Sequence, residues 1–192
     1  MGPPGAGKGT HATSVADRFG IPTISTGDMF RAEIASGSDL GNQVNAIVST
    51  GGLVPDELTN QVVAARLAKA DAANGWLLDG YPRTLEQVQA LDELLAGRGV
   101  ALDWVILLDV PREEVIKRLI KRATIEGRAD DTPEIIDHRQ SLYEAQTAPL
   151  IAAYDKRGLV IHADASGSIE ESNIQVHLGL DAVGLPGQRP IY

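Results

Sequence analysis

The chain has 192 residues, with apolar residues at 43% and charged residues at 22%, which argues against both a disordered polyelectrolyte and a membrane-embedded protein. Its 26 acidic against 17 basic residues give a net charge of −9, so the surface as a whole is not built to track nucleic acid, although a local basic cleft is compatible with that sum. With zero cysteines, disulfides, thiolate catalysis and Cys-ligated metals are excluded.

The glycine-rich stretch Gly2 to Thr10 comes first. Behind it, Ala12, Val15, Ala16 and Phe19 recur at helical spacing and predict a helix of about three turns that stops at Gly20, with Pro22 beyond it. A short strand is expected at Thr23 to Ser25. Helices over Asp28 to Ala35 and Leu40 to Thr50, separated by the Ser36-Gly37-Ser38 turn, make a small lobe. Pro55-Asp56-Glu57 opens a further helix striped by Leu58, Val62, Val63 and Leu67. Trp76-Leu77-Leu78 is an apolar run ending in Asp79, the pattern of a strand buried on both faces. Thr84 caps a helix carrying Val88, Leu91, Leu94 and Leu95, and Trp104 to Leu108 is the next buried strand.

Pro111 begins a helix that runs into the polar, basic segment Lys121 to Asp131, where a lid is expected. Pro133 to Tyr154 predicts one long helix with a bend before Pro149. Leu159-Val160-Ile161 is the last strand, Ser168 to Leu180 the last helix, and residues 183–192 a flexible tail. Apolar strands joined by helical crossovers predict an α/β fold, a parallel sheet flanked by helices, with ligands gathered at the strand carboxyl ends.

The chemistry starts at the loop. Gly2 to Lys8 fits G-x-x-x-x-G-K, in which Gly5, Gly7 and Gly9 let backbone N–H groups converge on phosphate oxygens and Lys8 supplies a compact positive charge. The residue after the lysine is Gly9 rather than Ser or Thr, so the hydroxyl that commonly meets magnesium is displaced to Thr10. Asp79, ending a strand, suits a hydrated magnesium, and Arg83 can turn its planar fork back into the same crevice. Arg118, Arg122, Arg128 and Arg139 flank or occupy the lid segment; Arg118 and Arg122 are one helical turn apart and can face one ligand. Asp130 and Asp131 beside Arg128 read as lid-ordering acceptors, or as a plain polar turn.

Six ordered blocks then carry a resemblance to the adenylate kinases, of the short-lid type, within the nucleoside monophosphate kinases: GPPGAGKGT at 2–10, STGDMFR at 25–31, GLVPDELT at 52–59, WLLDGYPRT at 76–84, GRADDT at 127–132 and YEAQTAPLIAAY at 143–154. The resemblance implies a P-loop NTPase-type sheet in a single domain over 1–182, with a nucleoside monophosphate lobe at 25–54 and a short lid at 122–132. It implies magnesium-dependent, reversible transfer between ATP and AMP to give two ADP. Gly5, Ala6, Gly7, Lys8, Gly9 and Thr10 would hold ATP together with Arg118, Arg122 and Gly167. Thr26, Arg31, Gly52, Leu53, Val54, Gly80, Arg83 and Gln87 would bind AMP, with Gln87 pairing with the adenine edge and Arg128 and Arg139 clamping phosphates. Lys8, Arg83, Arg122, Arg128 and Arg139 would be the catalytic set, with Asp79 holding magnesium through water.

No structural zinc is expected in a lid this short and free of cysteine. A UMP or CMP kinase of the same family, and a nucleotide-binding protein with little turnover, are the alternatives. A monomer acting on ATP and AMP is expected, without nucleic acid or membrane partners; the lack of a signal peptide or long apolar run points to the cytoplasm.

A glycine-rich phosphate loop follows a buried strand, and here the loop opens at the second residue. The expectation is therefore a sheet that lacks its first strand, with Met1 at most its last position, Met1 being an internal methionine of a chain that continues upstream.

Overall fold

The computed structural model describes residues 1–126 and 132–184. The order of elements follows the sequence pattern closely: α1 (Lys8–Phe19), β1 (Thr23–Ser25), α2 (Thr26–Ala35), α3 (Asp39–Val48), α4 (Asp56–Leu67), β2 (Leu77–Asp79), α5 (Leu85–Ala96), β3 (Val105–Asp109), α6 (Arg112–Glu126), α7 (Pro133–Leu142), α8 (Ala148–Asp155), β4 (Val160–Asp164) and α9 (Ile169–Val183). Helix ends obey local chemistry. Gly20 terminates α1 at φ 64°, where a side chain would be strained. The Thr84 hydroxyl accepts from the Gln87 N–H at the start of α5, and Ser168 with Glu171 forms a capping box on α9.

The strands pair in parallel, as their helical crossovers require, but in two separate sheets: β1 with β2, in register Thr23 to Leu77, and β3 with β4, in register Val105 to Val160. No ladder joins β2 to β3. Met1 sits against the β3 edge that faces away from β4, its amino group donating to the Ile106 carbonyl and its own carbonyl accepting from the Leu108 N–H at 3.0 Å. As expected of a sheet that lacks the strand before the phosphate loop, the ladder is interrupted between β2 and β3, with Met1 alone continuing it on β3.

Each half has its own core. Val15, Leu108, Ile161 and Val176 pack together on the β3–β4 side, while Ile24, Val63, Leu67, Leu91 and Leu95 pack on the β1–β2 side. The small lobe has a third, around Phe30, Val44 and Val54.

Two expectations need correction. Leu77 and Leu78 are only half-buried, because on the side away from β1 the strand β2 borders a cavity. The long helix after Pro133 is broken by a π-helical turn at Tyr143–Thr147, after which Pro149, with no N–H to give, lies in the first turn of α8. As expected, the helix begun after Pro111 runs into the basic segment, α6 reaching Glu126; residues 127–131, with Arg128, Asp130 and Asp131, and the tail from 185 lie outside the described residues. No helix among the described residues is long and apolar enough to cross a membrane.

Candidate active site

The phosphate loop enters α1 through glycines whose backbone only glycine adopts without strain: φ is 91° at Gly5 and 86° at Gly7. Gly5 is also sterically obligatory, since a Cβ there would lie 2.7 Å from Leu119 Cγ and 3.0 Å from the Val115 carbonyl oxygen. From α7, buried Gln140 donates to the Pro4 carbonyl at 2.9 Å and steadies the loop from outside.

Lys8 folds back over the loop and donates to the carbonyls of Gly2 at 2.8 Å and Pro3 at 2.9 Å. Burial pushes its pKa down to about 8; Asp79 opposes the shift, and the charges of Arg83, Arg139 and Arg122 reinforce it. Arg83 is likewise held below the usual guanidinium range, by burial first and then by the charge of Arg139. Asp79 ends β2 beside the loop, its Oδ2 3.8 Å from where a Gly9 Cβ would stand.

Arg83 Nε donates to the Gly80 carbonyl at 2.8 Å, and Thr147, from the π turn, donates its hydroxyl to the Arg83 carbonyl at 3.0 Å. The irregular turn therefore presents a side chain to the site, a common use of such turns. Gly80, at φ 78°, leaves room for two neighbours: a Cβ would meet Arg83 Nη2 and Thr26 Oγ1, each at 2.8 Å. Buried Thr26 donates to the Gly80 carbonyl at 2.9 Å. Arg118, on α6, is held by Glu114 at 3.0 Å and by the carbonyls of Ser166 and Gly167 at 3.2 and 3.0 Å. Arg31, exposed on α2, pairs with Asp28.

A cavity of about 1870 Å³ joins these groups. Of the residues singled out from the sequence, Gly5, Gly7, Lys8, Gly9, Thr10, Thr26, Arg31, Gly52, Leu53, Val54, Asp79, Gly80, Arg83, Gln87, Arg118, Arg122, Arg139 and Gly167 all line it. Ala6 does not: it is fully buried, and its N–H donates to the Pro3 carbonyl at 3.1 Å. The space exceeds what a single small ligand needs, and it runs on between β2 and β3.

Sequence reasoning missed the supporting shell. Gln140, Thr147 and Glu114 hold functional groups in place, yet each looks like an ordinary polar residue on a helix. Asp56 was legible only as a helix-opening residue; its carboxylate in fact accepts from Thr84 and Gln87. Among the described residues no cluster of three or more metal-ligating side chains exists. Asp79 is a lone carboxylate next to the phosphate loop, a donor set that fits a hydrated magnesium shared with phosphates and no all-protein cage.

The family model described as adenylate kinase matches residues 1–159. The chain belongs to the adenylate kinase family. The adenylate kinase of Leifsonia xyli subsp. xyli is 56% identical over 171 residues, covering 89% of this chain and 86% of the relative. That of Thermobifida fusca is 54% identical, covering 89% of this chain and 90% of the relative, and that of Micrococcus luteus 53%, covering 89% and 83%. The displaced hydroxyl at Thr10, the Asp79-Gly80 strand end and the cationic group around Lys8 are thus features of a member of this family.

Proposed function

We infer that this adenylate kinase family member catalyses reversible phosphoryl transfer between ATP and AMP, yielding two ADP, and so serves adenine nucleotide balance. The observation that carries the reading is the crowding of Lys8, Arg83, Arg122 and Arg139, close enough that Lys8 feels the charge of all three arginines. Such a group repels itself until a polyphosphate arrives. Phosphoryl transfer spreads negative charge over the equatorial oxygens of the moving group, and fixed cations stabilise that charge most where water is excluded.

An AMP phosphate oxygen attacks the terminal phosphorus of ATP in line, the bond to the β-phosphate oxygen breaks, and no protein nucleophile takes part. On the ATP side we assign the loop from Gly5 to Thr10, Ala6 included, with Arg122, the Arg118 side chain against the base and the Gly167 backbone. On the AMP side we assign Thr26, Arg31, Gly52, Leu53, Val54, Gly80, Arg83 and Gln87, with Gln87 reading the adenine edge. Arg139 and Arg128 clamp phosphates, and Asp130 and Asp131 order the lid. Closure of 25–54 and 122–132 over the two nucleotides expels water and protects ATP from hydrolysis. Magnesium, when bound with ATP, neutralises phosphate charge, and Asp79 is the residue to hold it through water.

A coupled assay with ATP and AMP, CMP, UMP or GMP tests this. AMP should be strongly preferred; preference for a pyrimidine nucleotide would move the chain to a UMP or CMP kinase, and binding without ADP formation would refute turnover.

A further inference from the structure

Resting on the reading of Gln87 as the residue that meets adenine, we propose that Asp56 is a positioning residue. It fixes which way round the Gln87 amide faces the base, and thereby makes the pocket select a 6-aminopurine monophosphate over a 6-oxopurine one. Gln87 is 2% exposed, and its amide is held at both ends. Its Nε2 donates to Asp56 Oδ1 at 2.6 Å, and its Oε1 accepts from the Arg83 backbone N–H at 2.7 Å. A flipped amide would set oxygen against carboxylate and NH₂ against N–H, so neither contact survives reversal.

Asp56 is itself anchored. Its Oδ2 accepts from the Thr84 hydroxyl at 2.7 Å, and that same hydroxyl oxygen accepts from the Gln87 backbone N–H at 3.2 Å as the cap of α5. The hydroxyl proton is therefore committed to Asp56, and the start of α4 is tied to the start of α5. An ionised carboxylate accepts and never donates, so it imposes one amide orientation, whereas an asparagine could present either kind of group.

Each amide atom keeps one unused function, an N–H on Nε2 and a lone pair on Oε1. Adenine offers a donor at its 6-amino group and an acceptor at N1. A 6-oxopurine offers an acceptor at O6 and a donor at N1. One fixed orientation thus matches adenine and meets the oxopurine donor to donor and acceptor to acceptor. A site built around such a pair discriminates far better than one that relies on shape.

The test compares kcat/KM for AMP and for inosine monophosphate in the unsubstituted protein, in Asp56→Asn and in Gln87→Ala. In Asp56→Asn the AMP preference should fall about tenfold or more, through KM for the monophosphate, with KM for ATP unmoved. An AMP preference within about twofold of the original, or equal losses for ATP and both monophosphates, would overturn the proposal and leave Asp56 a purely structural tie. If Gln87→Ala leaves KM for AMP unchanged, the underlying assignment of Gln87 fails instead.

A second measurement needs no variant. In the AMP complex of the unsubstituted protein, a Gln87 Nε2 proton should show a nuclear Overhauser contact with adenine H2, beside N1. A contact with the 6-amino protons alone would overturn the proposed orientation.

Discussion

At the scale of single residues, the site is a set of cations held where cations are uncomfortable. Lys8 has a pKa of about 8 against an ordinary 10.5 because burial and neighbouring arginines disfavour its charge. By linkage, the unfolded chain binds this proton between roughly pH 8 and 10.5 while the folded chain does not. Stability from this group therefore rises with pH across that window and is flat below it, by on the order of 3 kcal/mol. ATP phosphates reverse the balance by favouring the charged form. Titration calorimetry near pH 8 in buffers of differing ionisation enthalpy should show uptake of a fraction of a proton per ATP bound; proton release, or none, would mean that the phosphates do not meet Lys8. Arg83 makes the complementary case. Arg83→Ala removes one cation from the transfer path and should lower kcat by roughly 10²–10³-fold. Because it also relieves repulsion with Arg139, the melting temperature should not fall. Near-normal turnover would contradict the assignment.

At the scale of elements, most boundaries were legible because they rest on local rules: Gly20 stopping α1, Thr84 and Ser168 capping, and apolar runs ending at Asp79 and Asp109. Contacts between elements were not. Nothing in the spacing shows that Thr147 reaches Arg83, or that Gln140 reaches Pro4, since both depend on how α7 and the π turn pack. Gly41 is the clearest instance. It lies inside α3, where the usual rule makes alanine more favourable by about 1 kcal/mol. Yet α2 and α3 cross so closely there that a Cβ would lie 2.2 Å from the Glu33 carbonyl oxygen. The obstacle is backbone and cannot rotate away. Gly41→Ala should therefore destabilise the protein by about 1–3 kcal/mol, in the manner of overpacking. The lobe core around Val44 would be prised from Phe30, raising KM for AMP more than KM for ATP. Thermal melts and steady-state kinetics on the one variant check both; a stabilised variant would show that the helices separate at no cost.

At the scale of the molecule, the division of the sheet has a measurable consequence. The β1–β2 half and the β3–β4 half share no strand-to-strand ladder; they communicate through α1, through Leu77, which packs against the β3–β4 core, and through a cluster in which Val88 of α5 packs with Val105 of β3 and with Leu150 and Tyr154 of α8. Cooperativity in a small domain depends on one continuous core, so two sheets joined only through helix and side-chain packing, with no shared ladder, are expected to lose structure separately. The chain carries its own reporters: of its 2 tryptophans, Trp76 packs on the β1–β2 core and Trp104 on the β3–β4 core. Trp76→Phe and Trp104→Phe each leave one reporter. Urea unfolding followed by fluorescence in the two variants should then give different midpoints, neither matching the helical circular dichroism transition throughout. Ligand should close the difference, because the phosphate loop follows Met1 on β3 while Asp79 and Arg83 belong to β2 and the loop after it. A nucleotide held by both sides links the halves and stabilises only the state in which both are folded. With AMP and a non-hydrolysable ATP analogue at saturation, the two transitions should move up and converge. Coincident transitions without ligand would show that helix and side-chain packing alone couples the halves across the divided sheet.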